Sequence, residues 1–259
     1  MSATGTFTPR PGAAPLGRMI RAQAALETRM LLRNGEQLLL TAVIPALILV
    51  LFGTVDIVDV VDTGGGEPVD FLAPGVLALA VLSTAFTGQA IATGFERRYG
   101  VLKRLGSSPL PRWALMTAKT CSVLITETLQ VGLLVGIAFA LGWSPHGNPL
   151  AVLALLLTGT AAFSGLGLLM AGTLKAEATL AAANLVFILL LVGGGVMVPL
   201  EKFPDAAQAV LGLLPITALS DGLRDVLRDG AAMPWADLGI LAGWAVLGLG
   251  AAARFFRWE

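Results

Sequence analysis

Cysteine, histidine and tyrosine each occur once in these 259 residues. A lone Cys121 cannot form an internal disulfide, and a CxxC metal or redox motif is impossible. With His146 as the only histidine, a His-based metal site or catalytic triad would lack partners. Charge is scarce as well. Asp, Glu, Lys and Arg make up 13% of the chain, roughly half the share usual in soluble domains. The net charge of +0, with no basic face carrying interleaved aromatics, argues against a nucleic-acid partner. No Gly-Lys dipeptide exists, so the phosphate loop GxxxxGK followed by Ser or Thr is absent and the chain does not cradle ATP by that route. No nucleophile–base or metal constellation is visible, which makes an enzyme the least favoured class. No cofactor or metal is expected on the chain itself.

What the sequence has is apolar length. Hydrophobic residues make up 56% and the mean hydropathy is +0.81. A helix needs roughly 20 apolar residues to cross a bilayer. Six segments qualify: Leu38–Val55, Phe71–Phe95, Leu115–Trp143, Leu150–Leu174, Leu180–Leu200 and Trp235–Ala253. The third is over-long, and its polar first half is expected to protrude into the cytoplasm or face other helices. The first apolar run starts too late for an ordinary cleavable signal peptide. Residues 1–15 read as a disordered lead, rich in Gly, Pro, Ser and Thr. Residues 16–36 read as an amphipathic helix at the membrane surface, with Ile20, Ala24, Met30 and Leu31 among arginines. Residues 37–257 then form one six-span domain.

The charges that remain are sorted. On this map, 14 of 17 basic residues lie on the side of the termini, and only Lys202, Arg224 and Arg228 lie opposite. The first connection carries Asp56, Asp59, Asp62, Glu67 and Asp70 and no Lys or Arg. In all, 11 of 17 acidic residues fall on that second side. Basic connections stay in the cytoplasm, so both termini are expected there, in the plasma membrane. Trp113, Trp143, Trp235 and Trp258 fall at span ends, where an amphipathic ring prefers the interface; Trp244 does not fit that pattern. The small-residue pairs Gly132–Gly136, Gly239–Gly243 and Ala161–Gly165 suit close helix packing, though chance matches are expected among 31 glycines. Two short helices separated by Pro215 are expected on the far side between the last two spans, marked by Val210, Leu213 and Leu214, then Leu219, Leu223, Val226 and Leu227.

The basic connection after the second span should itself fold. Val101, Leu102 and Leu105 line one side of a short helix, with Lys103 and Arg104 on the other. Gly106 suits its C-cap, and Ser108–Pro109 suits the start of the next helix. Such a helix could dock into a soluble partner; positive-inside bias alone also accounts for its charge. Inside the spans, ionisable and amide side chains are functional candidates. Glu127 lies about five turns into its helix with Gln130 on the same face; Gln89 and Asn184 sit in the second and fifth spans. These four are candidates for a pathway or gate, or for polar contacts inside the bundle. Lys119 is expected to snorkel to the interface, Cys121 to pack, and His146 to lie in a loop.

The run FERRYGVLKRLGSSPLPRWALMTAK resembles the cytoplasmic segment between spans two and three of the type-2 ABC transporter permease family. The matching features are Glu96–Arg97, Gly100–Val101–Leu102, Lys103–Arg104, Ser108–Pro109–Leu110 and Lys119. FLAPGVLALAVLSTAF resembles that family's second span, and RMLLRNGEQLLLTAVIPALILVLFG its approach to span one. GGGVMVPLEKFPDAAQAVLGLLPITALSDGLRDVL resembles its fifth-span exit and outer helices, with Pro199, Pro204, Pro215 and Arg224 in the expected places. The likeness runs from about Arg21 to Arg257 and is greatest for the daunorubicin-resistance type of drug and lipid exporter. It implies an all-α, six-span half-transporter with a cytoplasmic coupling helix. Arg97, Arg98, Tyr99, Val101, Leu102, Lys103, Arg104 and Leu105 would engage a cytoplasmic ABC ATPase subunit, present in two copies and holding ATP and magnesium. A second permease copy, identical or related, would complete the pathway. An ion-coupled secondary carrier built around Glu127 and a non-transporting membrane scaffold are the alternatives.

Overall fold

The computed structural model describes residues 12, 14–54, 68–196 and 200–256, and every described element of regular structure is helical. The chain starts with α1 (Leu16–Arg33), broken at Asn34. Helix α2 (Gly35–Leu38) leads through a π-helical turn at Leu39–Val43 into α3 (Ile44–Thr54). Helix α4 (Pro68–Val81) continues through a second π-helical stretch, Leu82–Gly88, into α5 (Gln89–Arg98). After the short α6 (Val101–Gly106) come α7 (Arg112–Ala140), α8 (Pro149–Thr173) and α9 (Ala176–Gly193). Helices α10 (Asp205–Leu211), α11 (Pro215–Leu227) and α12 (Trp235–Phe255) complete it.

Among the described residues, five helices are long and apolar enough to cross a membrane: Pro68–Arg98, Trp113–Ala140, Pro149–Thr173, Ala176–Gly193 and Trp235–Phe255. These coincide with five of the six expected spans. The fifth begins earlier than expected and stops at Gly193, because the chain turns through Gly194 and Gly195, the latter at φ 68°. The first expected span is shorter: its apolar helical part is Thr41–Thr54, 14 residues. The acidic connection at 55–67, the lead at 1–11, Pro199, Arg257 and Trp258 lie outside the described residues.

Helix Pro68–Arg98 is the axis of the bundle, and 94% of its apolar window is buried. Phe71 and Glu96, near its two ends, are about 37 Å apart at the α-helical rise of 1.5 Å per residue. The molecule therefore has an α11 end and an α6 end. Loop residue His146 donates its N–H to Leu227 O (2.8 Å) at the first. At the second, α1 packs along the start of α7, and Phe256, just after α12, packs on Gly172 near the end of α8. Both described chain ends thus share the α6 end.

Helices α8 and α12 make the most extensive helix pair. A Cβ on Gly165 would lie 2.6 Å from Leu249 N and 2.8 Å from Gly248 C, so the two backbones touch only because this side chain is missing. The other small-residue positions behave differently. Gly132, Gly136, Gly239 and Gly243 face open space, so one of the three expected pairs contributes a close approach.

Residues 201–234 carry the two short helices expected there, α10 and α11, with Pro215 opening the second; the unexpected feature is how deeply α11 is buried. Helix α11 bends by 92° from α10 and is inserted into the bundle against α4, α8 and α12. Ile216, Leu219 and Leu223 are fully buried. The cause is its strong amphipathicity combined with small residues at Ala218, Ser220 and Gly222, which admit neighbouring helices. Arg224, counted as an external charge, is buried with it. Trp143, expected at an interface, is buried against Phe139 instead. Trp244 ties α12 to the α10–α11 corner by donating Nε1–H to Leu213 O (2.8 Å).

Candidate functional site

The turn from α5 into α6 requires one special residue. Tyr99 N–H closes α5 on Phe95 O (2.9 Å), and Gly100 then takes φ 67°, a left-handed conformation that costs a residue without Cβ little. The short helix follows, as expected. Its closure differs from expectation: the Ser107 and Ser108 hydroxyls donate back to Arg104 O (2.7 Å) and Leu105 O (2.6 Å). Ser108 therefore ends α6 and does not open α7. Pro111 is the N-cap of α7, and a proline disfavours helical backbone at the preceding residue, Leu110.

The structure divides the eight residues expected to engage an ATPase. Tyr99, Val101, Lys103 and Arg104 are exposed. Leu102 is fully buried and anchors α6, and Leu105 is half-buried. Arg97 is half-buried and Arg98 exposed, and both bond to other helices. Arg97 donates to Gly172 O (2.7 Å) and Leu174 O at the C-terminal end of α8, where orphan carbonyls and the helix dipole favour a cation. Arg98 pairs with Glu177 on the first turn of α9.

Glu96 completes the set. Lys119 on α7 donates to Glu96 Oε2 (2.5 Å) and to Glu27 Oε2 of α1 (3.1 Å), and Gln23 Nε2 donates to Glu27 Oε1 (2.9 Å). The Lys119 side chain is 3% exposed, so it does not snorkel: two carboxylates neutralise it inside the protein. Successive α-helical residues point about 100° apart. Glu96, Arg97 and Arg98 accordingly grip three directions: α7 with α1, then α8, then α9. The root of α6 is thus bonded to four helices.

Beside this triad lies a cavity of about 280 Å³, walled by α1, α5 and α7. Its charged walls are Glu27, Glu96 and Lys119, with Gln89, Thr93 and Ser122 among its polar ones. Both amide atoms of Gln89 and the hydroxyls of Thr93 and Ser122 are buried with no hydrogen-bond partner among the described residues.

Deeper in the bundle, Gln130 joins the two π-helical stretches. Thr84 Oγ1 donates to Gln130 Oε1 (2.6 Å), and Gln130 Nε2 donates to Thr41 O. A π-turn displaces backbone groups from the regular ladder, and here a side-chain amide meets one of them. Glu127, one turn away, is 5% exposed. Thr160 Oγ1 lies 2.7 Å from Glu127 Oε2 and 2.6 Å from Leu156 O, so one proton serves two acceptors; Glu127 Oε1 has no partner among the described residues. Thr84 links Gln89 and Gln130, since it bonds one and lines the cavity with the other. Asn184 is not part of this network: it is exposed on the outward face of α9 among Leu180, Leu185 and Ile188. No group of three or more metal-ligating side chains occurs among the described residues.

Sequence reasoning missed Glu27 and Thr160 altogether, and treated Glu96 only as half of an acidic–basic pair. A signal existed for Glu27. It is the one acid within Leu16–Arg33, spaced with Ile20, Ala24, Thr28 and Leu31 on a single helix face.

The chain is 24% identical over 232 residues to a protein of Bacillus subtilis (strain 168) named "Putative transport permease YvfS", an alignment covering 88% of this chain and 93% of that one. The family model described as ABC-2 family transporter protein matches residues 60–254, four of the long apolar helices in full and the α5–α6 turn among them. With several membrane-length helices and that match over most of its length, the chain is a multi-pass membrane protein belonging to the ABC-2 transporter family.

Proposed function

We propose that this chain is the permease subunit of an ATP-driven ABC exporter. It works with two copies of a cytoplasmic ABC ATPase, which hold ATP and magnesium, and with a second permease copy, identical or related. The α6 end faces the cytoplasm, the apolar segment Thr41–Thr54 serves as the first of six spans, and both termini are cytoplasmic in the plasma membrane. The observation that carries this reading is the build of the α5–α6 turn. Tyr99, Val101, Lys103 and Arg104 form an exposed apolar-and-basic tip, while Glu96, Arg97 and Arg98 at its root grip α1, α7, α8 and α9. A tip that moves with an ATPase subunit and a root tied to four helices is what transmission of a stroke requires. The cargo proposed is hydrophobic, drug-like or lipid-like, by analogy with the resembling exporters.

Co-purification in mild detergent with the ATPase encoded beside it tests the assignment. A complex of two permeases with two ATPases that hydrolyses ATP is expected. Replacing Lys103 and Arg104 with Glu should abolish co-purification while leaving membrane insertion intact, because both side chains are exposed and surface changes alter stability by about 0.5 kcal/mol or less. Failure to bind any cellular P-loop ATPase would overturn it and favour an ion-coupled carrier, for which the half-partnered Glu127 is the structural argument.

A further inference from the structure

The cavity at the α6 end has features that packing does not explain. Cores leave few buried polar groups unpaired, and each costs about 1–3 kcal/mol. Here Gln89, Thr93 and Ser122 are unpaired around one space. That space, about 280 Å³, is many times the roughly 30 Å³ share of a single water. It stands just below the usual range of ligand pockets, which suits a one-ring molecule. Acidic groups also outnumber basic ones in its wall. Two carboxylates, Glu27 and Glu96, share one ammonium, Lys119. The nearest other cations at the α5 terminus are committed elsewhere, Arg97 to the end of α8 and Arg98 to Glu177. The rest of the lining includes Met30, Leu31, Phe95 and Val123, and exposed Tyr99 stacks on Phe95 with ring centroids 6.0 Å apart.

From this juxtaposition we infer that the cavity between α1, α5 and α7 is a binding site for a small amphiphile carrying one cationic amine. The ammonium balances the second carboxylate of the triad in a medium where charge attraction is strong. Its N–H groups are accepted by the Gln89 carbonyl and the Thr93 and Ser122 hydroxyls. The apolar body lies against Phe95, Leu31 and Val123, with the aromatic faces of Phe95 and Tyr99 adding cation–π attraction. The site deepens the permease reading by naming a cargo class. It rests on that reading for the ligand's being cargo, and not for the binding itself.

The test uses the full chain in nanodiscs of zwitterionic phosphatidylcholine, without any ATPase, with empty nanodiscs subtracted. Three probes of equal shape are titrated by calorimetry: 4-phenylbutylamine, 4-phenylbutanol and 4-phenylbutanoate. The amine is expected to bind saturably at one site per chain, at least tenfold tighter than the alcohol, and the carboxylate not to bind. Gln89→Leu should weaken the amine at least tenfold while leaving the melting temperature unchanged or higher, because it removes an unpaired amide. Glu27→Gln should weaken it comparably. Equal affinity for amine and alcohol, or wild-type amine binding by Gln89→Leu, overturns the site. Because no ATPase is present, failure here leaves the permease assignment standing, and failure of ATPase co-purification leaves the binding result standing.

Discussion

Lys119 and Arg224 are the two most deeply buried cations described, one near each end of the bundle, and they are neutralised in different ways. Arg224 is built into a closed corner. Its guanidinium donates to Asp221 Oδ1 (2.9 Å), Val196 O (2.7 Å) and Phe71 O (3.4 Å), and its Cζ sits 4.0 Å from the centre of the Phe71 ring. Gly75 makes the room: a Cβ there would lie 2.5 Å from Val196 O and 2.9 Å from the guanidinium. Lys119 sits at the edge of a hollow and is met by charges and not by carbonyls. The planar fork of arginine suits several fixed acceptors, whereas the ammonium of lysine is a compact point charge. The α11 end is therefore a fastening. The α6 end is a charged cluster beside a cavity.

The sharpest way to break this contrast is to remove the lysine. Lys119→Met leaves Glu27 and Glu96 facing each other without a counter-charge, and a loss of about 3–5 kcal/mol is expected, as for other broken buried pairs. Thermal unfolding in detergent reads it. The triple change Lys119→Met, Glu27→Gln, Glu96→Gln should recover part of the loss; no recovery would mean that charge is not what holds α1 to α7. At the other end, Arg224→Lys keeps the charge but loses the fork, and about 2–3 kcal/mol should go with the carbonyl bonds. A melting temperature equal to the wild type would show that charge alone suffices there.

Backbone contact gives the next pair of tests. Gly165→Ala places a methyl against Gly248 and Leu249 and should cost about 1–3 kcal/mol. Gly132→Ala meets nothing and should be neutral or stabilising by up to about 1 kcal/mol. Similar melting shifts for the two would contradict the α8–α12 close approach. The smallest effect on folding is expected at Glu127. Glu127→Gln keeps an oxygen for Thr160 and should change stability by about 1 kcal/mol or less. If the residue serves transport, substrate movement should fall at least tenfold in reconstituted vesicles. An unchanged rate would assign it to packing.

Much of the architecture was legible in the residues, and the limits have identifiable causes. Apolar length located the helices at 68–98, 113–140, 149–173 and 235–255 to within a few residues, because spanning requires an uninterrupted run whatever surrounds it. The same criterion passed Leu38–Val55, although its apolar helical part is 14 residues. It did not show that α11 packs inside the bundle, since a 13-residue amphipathic helix reads alike whether its apolar face meets lipid or other helices. For the candidate site, the short basic helix was visible and its position held. Which of its arginines bond to other helices was not, because the partners of Arg97 and Arg98 lie more than 70 positions away. Gln130 and Glu127 were flagged by their polarity in apolar runs. Thr84 and Thr160, which bond them, look like any other span threonine.

What the sequence by itself determined is therefore five membrane-length helices, the family and the position of the short basic helix. Each rests on local composition or on the order of motifs along the chain. The tertiary structure alone decided that Lys119 joins α1 to α5 and α7, that Arg224 locks α11 into the bundle, and that a hollow with unpaired polar walls lies at the α6 end. Those features depend on side chains far apart in the chain meeting in a low-dielectric interior, where a charge must find a partner and an amide without one marks a place that something else can fill.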